Sequence, residues 1–139
     1  MALHTRVMIK PLLQDVCYHE GRGPTLTAVR YANVGRSIRA VEYDNPDADR
    51  DETKHLVFIK PQVHMWTPEE VYQNHVLEDY WAEFRPAAIV SLGRSPWLCS
   101  FSSQHLTRCS HYQIMFYDEY LDIICEDIVY RQGAYVPEC

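Results

Sequence analysis

Four side chains suited to a metal ion fall within thirteen residues: Cys99, His105, Cys109 and His111. Thiolate and imidazole are the ligands that zinc prefers, with Zn–S distances near ~2.3 Å. The spacing, Cys-x5-His-x3-Cys-x-His, has neither a paired Cys-x2-Cys knuckle nor two histidines one helical turn apart. The competing reading is therefore two buried cysteines and two surface or hydrogen-bonded histidines. Cys17 and Cys99 also raise nucleophilic chemistry, with His19 two residues from Cys17 and Asp15 as a third member. A thiolate at neutral pH needs a base or a positive field, and such sets are recognised by geometry rather than by nearness in sequence.

Two charged sets come next. Glu119, Asp122, Glu126 and Asp127 could pair for acid–base or cation work, or simply solvate one strand face, where Asp122 and Glu126 would lie beside Ile124. Arg30, Arg36 and Arg39 lie along one hairpin, and with Arg94 of Gly93-Arg-Ser-Pro96 they form an anion-binding candidate. No glycine-rich phosphate loop accompanies them, because Gly21-Arg-Gly opens no helix. Ten of the thirteen basic residues are Arg, which favours bidentate contacts. Seventeen aromatic residues, ten of them Tyr, exceed what a core of this size needs. Tyr18, Tyr31, Tyr43, Tyr117, Tyr120 and Tyr130 are candidates for a partner surface or pocket, because Tyr offers area, rigidity and one polar tip.

The elements that must position these groups start from Thr67 to Phe84. Thr67 reads as an N-cap, Pro68 as the first helical residue, and Glu70 as the capping-box partner of Thr67. Tyr72, Val76, Leu77, Tyr80, Trp81 and Phe84 recur at helical spacing. The pattern predicts a long amphipathic helix over 67–84. Two hairpins are expected around it. Leu26–Tyr31 pairs with Ser37–Tyr43 through a turn holding Asn33 and Gly35, and His111–Tyr117 pairs with Tyr120–Glu126. In the second, Tyr112, Ile114 and Phe116 should share one face, as should Leu121, Ile123 and Cys125.

Arg6–Lys10 reads as a strand ended by Pro11, and His55–Lys60, Ala87–Leu92 and Trp97–Phe101 as further strands. Residues 102–109 read as a polar connection with room for a short helix. Strands without regular β-α-β alternation predict an α+β fold: a mainly antiparallel curved sheet with the helix packed on one face. Residues 1–133 form one domain and 134–139 a tail.

Composition narrows the function. The net charge is −6, with six basic against three acidic groups in residues 1–43 and seven against sixteen in 44–139. That balance disfavours nucleic acid. No apolar run reaches the roughly 18 residues of a membrane span, and the first residues lack a signal-peptide core, so a cytoplasmic protein is expected. Five cysteines without regular spacing fit a reducing compartment.

The expected function is a non-catalytic protein-interaction module. Its contacts would come from the acidic segment Asp47, Asp49, Asp51 and Glu52, from the helix edge at Glu78, Asp79 and Glu83, or from the hairpin at Tyr117, Glu119 and Tyr120. In composition the chain resembles toxin-immunity and phage-type inhibitor proteins. The alternatives are a small-ligand domain or enzyme with a pocket between helix and sheet, and a zinc-stabilised domain. An exposed aromatic sheet edge would also permit a homodimer.

Overall fold

Apolar alternation in the second hairpin organises the core. The computed structural model describes residues 10–12, 24–32, 37–44, 53–72 and 89–137. In it the strands Ser110–Met115 (β7) and Glu119–Cys125 (β8) pair antiparallel. A two-residue turn, Tyr117–Asp118, is closed by the Phe116 N–H donating to the Glu119 carbonyl at 2.8 Å. As expected, Tyr112, Ile114 and Phe116 share the inner face with Leu121, Ile123 and Cys125, all buried.

The other strands are β1 (Lys10–Leu12), β2 (Thr25–Tyr31), β3 (Ile38–Asp44), β4 (Thr53–Ile59), β5 (Val63–Pro68), β6 (Ile89–Gly93) and β9 (Asp127–Gln132). They form two antiparallel sheets, in the orders β1-β6-β7-β8-β5 and β2-β3-β4-β9. Ile38, Val41, Tyr43, Leu56 and Phe58 of the second sheet meet the inner face of the first in one core. Burial of each such side chain stabilises by about 1.5–3 kcal/mol.

The first hairpin, β2–β3, is also present, but two one-residue register shifts interrupt it. Leu26 pairs with Tyr43 and Ala28 with Glu42, so Thr27 is the extra residue; Arg30 pairs with Ala40 and Tyr31 with Ile38, so Arg39 is the second. Each bulge switches which side chains face inward. That is why Leu26 and Val29, three apart, both reach the core, as do Ile38 and Val41.

The sheets are halves of one bent ribbon. β4 pairs with β9 and β5 with β8. Between them the Glu126 N–H donates to the Ile59 carbonyl at 2.9 Å, and the Gln62 N–H to the Ile124 carbonyl at 2.8 Å. Lys60 turns the corner with φ +49°. Both strands thus pass from one sheet to the other at a single bend, as at the corners of orthogonal sandwiches.

The α+β expectation is overturned. Strand makes up 61% of the described residues, and the α-helices there are single turns, α1 (Glu69–Tyr72) and α2 (Pro96–Cys99), beside a 3₁₀ turn at Gln104–Leu106. Thr67 and Pro68 are ladder residues opposite Tyr120 and Glu119. A proline needs no amide partner at the end of an edge strand, so Thr-Pro ends β5, and α1 follows at Glu69, one residue after the position read as the first helical one. Residues 73–84, with Val76, Leu77, Glu78, Asp79, Tyr80, Trp81, Glu83 and Phe84, lie outside the described residues.

Two smaller readings also change. Pro11 lies inside β1, opposite Val90, where a strand end was expected. Trp97–Phe101 is not a strand: the Ser95 hydroxyl accepts from the Leu98 N–H and Pro96 opens α2. No helix of the described residues is long and apolar enough to cross a membrane.

Candidate functional site

The outer face of the first sheet carries a buried polar relay. β7 presents His111 and Gln113 to that face, and β8 presents Asp122, cross-strand from Gln113. Segment 94–109 returns over them, with Leu98, Leu106 and Cys109 packed on Ile124. Ser95 comes to rest with Oγ 2.7 Å from His111 Nδ1, and His111 Nε2 lies 2.6 Å from Asp122 Oδ1. Gln113 Nε2 donates to the same carboxylate oxygen at 3.0 Å. The Trp97 ring stands edge-on to His111, with centroids 4.8 Å apart.

The donors are accounted for in order. The Asp122 carboxylate only accepts, so His111 Nε2–H donates to it, and in the neutral ring Nδ1 is left to accept the Ser95 hydroxyl proton. Ser95 Oγ in turn accepts the Leu98 N–H at 3.2 Å. Nucleophile, base and acid are therefore present by type, but Ser95, His111 and Asp122 are 2%, 1% and 2% exposed. With all three buried under segment 94–109, no acyl group can reach the serine in this arrangement. The relay clamps segment 94–109 to the sheet.

The other expected sites are distributed as follows. Of the zinc set, His111 has both nitrogens engaged, the Cys109 thiol points to the His105 carbonyl at 3.8 Å, and the exposed Cys99 thiol to the Arg94 carbonyl at 3.4 Å. Burial, and then the Glu126 charge, push the Cys109 thiol up against a smaller opposing effect of Arg94. Burial first, then Cys109, pushes Cys125 up further. Both are held as thiols, poor as ligands or nucleophiles. Among the described residues no three His, Cys, Asp or Glu side chains gather as a metal would need. Cys17, His19 and Asp15 lie outside the described residues.

The arginines do not converge. Arg94 donates to the carbonyls of Leu106 and Cys109, at 2.7 and 3.3 Å, and so ties down its own loop. Arg30 pairs with Glu42 at 3.3 Å, Arg39 is exposed at its bulge, and Arg36 lies outside the described residues. Asp47, Asp49, Asp51 and Glu52 also lie outside them.

Gly133, at the end of the expected domain, and Tyr135 beyond it hydrogen-bond to β3 and β4. The Gly133 N–H donates to the Thr53 carbonyl at 2.7 Å, His55 Nδ1 donates to the Gly133 carbonyl at 2.7 Å, and the Tyr135 N–H donates to Glu42 Oε1 at 3.1 Å. The Tyr135 ring meets His55 edge-on at 5.7 Å. Sequence reasoning missed Glu42 and His55, which are 6% and 4% exposed. Nothing local marks them, because what brings them together is a cross-strand pairing that the fold supplies.

The β7–β8 turn remains open. Tyr117 is 49% exposed, whereas Tyr120 is buried at 8%. The Glu119 carboxyl is raised above its ordinary range, first by partial burial and then by the Asp118 charge. Among the described residues neither acid forms an ion pair. The native state therefore holds the Glu119 proton to higher pH than the unfolded chain does, and its ionisation removes stability as pH rises through the carboxylate range. Glu119→Gln should match the parent in acid and exceed it at pH 7, by under about 1 kcal/mol given partial exposure. Urea unfolding at pH 3.5 and 7 checks the sign. No family model, curated protein or solved structure matches the chain.

Proposed function

We propose that this chain is a non-catalytic, acidic protein-interaction module of the inhibitor or immunity type, cytoplasmic, whose partner is a basic protein surface rather than nucleic acid. The observation that carries the reading is the turn Tyr117-Asp118-Glu119. It combines an exposed aromatic ring with two adjacent carboxyls, one of them raised by burial and by the other's charge, and no cation pairs with either among the described residues. Unneutralised charge in a half-shielded place is relieved by a cation brought by a partner, and a net charge of −6 speeds that encounter.

The enzyme alternative has the relay in its favour by residue type, but the relay is closed. The test is retention from lysate of the source cells on immobilised wild-type chain and on the Asp118→Lys, Glu119→Lys double variant. The expected result is a discrete basic protein on the wild type alone, released as salt rises to about 0.5 M. The same proteins on both surfaces would end the proposal.

A further inference from the structure

An edge strand exposes backbone donors and acceptors, and folded proteins blunt such edges with prolines, charges, bulges or shortness. Among the described residues the two sheets have four edges, and three of them are blunted. β1 has three residues, one of them Pro11. β2 is broken by two register shifts and carries Arg30. β9 carries Asp127 and Arg131 and runs into the docked Gly133–Tyr135 segment.

β5 is different. Val63-His-Met-Trp-Thr-Pro68 has no charged residue, its proline stands at the very end and leaves Val63–Thr67 without one, and its ladder with β8 runs from Val63–Ile124 to Pro68–Glu119 without a shift. Among the described residues no strand covers its other side. Trp66 anchors it from within, tilted against Phe116 at 6.2 Å, while Met65 is 38% exposed.

Both ends of β5 are furnished. At its start, beyond the Lys60 corner, a cleft of about 380 Å³ opens between Ser37–Ile38 and Pro61–His64. The Tyr31 ring, 53% exposed, lies 6.4 Å from His64 beside it. At the Pro68 end stand Glu119, cross-strand from Pro68, its neighbour Asp118, and the exposed Glu70.

We infer that β5 is the docking edge for an extended basic segment of a partner protein. The segment adds as a further strand by main-chain hydrogen bonds, sets one side chain in the cleft and lays its cationic end against Asp118, Glu119 and Glu70. The inference rests on the protein-interaction reading and gives it a binding mode. Charge selects this occupant over a second copy, since two chains of −6 repel.

The test is backbone hydrogen exchange on the full chain with three synthetic probes. One is the basic peptide Arg-Val-Thr-Val-Arg-Lys, one its twin with Glu at the three charged positions, and one the basic peptide N-methylated at alternate amides. The expected result is at least ten-fold slower exchange, with the basic peptide alone, at those Val63–Thr67 amides that β8 does not already hold. Met65→Lys, which leaves the thermal midpoint in place, should weaken that peptide at least ten-fold. No slowing at β5, or equal slowing by the methylated peptide, would overturn strand addition. Concentration-dependent dimers abolished by Met65→Lys would overturn it in favour of a second copy. The two readings fail separately: if the Asp118→Lys, Glu119→Lys variant loses the captured partner while β5 is never protected, the interaction module stands and this mode falls. If β5 is protected equally in that variant, the acidic turn is wrong and the edge stands.

Discussion

Asp122→Ala should cost about 3–5 kcal/mol, read as a lower urea midpoint with an unchanged slope. The carboxylate is 2% exposed and receives both His111 Nε2 at 2.6 Å and Gln113 Nε2 at 3.0 Å. Its removal takes an acceptor from two donors on buried side chains, His111 and Gln113, each 1% exposed. Asp122→Asn keeps an acceptor oxygen and loses the charge, so about 1–2 kcal/mol is expected there. A loss below about 1 kcal/mol in the alanine variant would mean that the relay is wet and that Ser95 is reachable. A fluorophosphonate probe separates the two cases: Ser95 should stay unlabelled in the wild type, because it is 2% exposed.

That relay also shows where sequence reading stops. The second hairpin was legible because Tyr112, Ile114 and Phe116 alternate against Leu121, Ile123 and Cys125, and strand periodicity needs no long-range knowledge. The same strands carry His111, Gln113 and Asp122 in the alternate positions. A polar stripe there reads as a solvated face unless something covers it. The cover is segment 94–109, held by Arg94 on two carbonyls and by Leu98 and Leu106 on Ile124. Those contacts depend on a loop's return path, which local pattern does not encode. His111 was thus visible but assigned to a metal set, and Ser95 went unremarked, although Ser-Pro is a helix-opening pair.

Thr67-Pro68 is a boundary of two kinds at once. The dipeptide ends β5 and α1 opens directly after it at Glu69, and only the pairing with Tyr120 and Glu119 assigns the two residues to the strand. The bulges at Thr27 and Arg39 likewise reverse side-chain parity without any proline or glycine to mark them.

Phe116→Ala is the second large effect expected, about 3–5 kcal/mol. Phe116 is 2% exposed and sits in the cluster shared by both sheets, where Trp66 of β5 tilts against it at 6.2 Å. Because β4–β5 and β8–β9 cross between the sheets at one bend, neither sheet can loosen alone without breaking the Glu126–Ile59 and Gln62–Ile124 hydrogen bonds. The loss should therefore appear as one transition, with far-ultraviolet circular dichroism and tryptophan fluorescence coincident in urea. Phe116→Leu fills most of the space and should cost under about 1.5 kcal/mol. Two separated transitions in the alanine variant would show that the sheets unfold independently, and β5 would then owe its position to β8 alone. In that case the edge would fray when Trp66 loses its neighbour, and exchange at Val63–Thr67 would quicken before the rest of the chain. A single transition makes β5 a rigid edge carried by the whole core, the condition under which main-chain docking binds an extended segment without first ordering the strand that receives it.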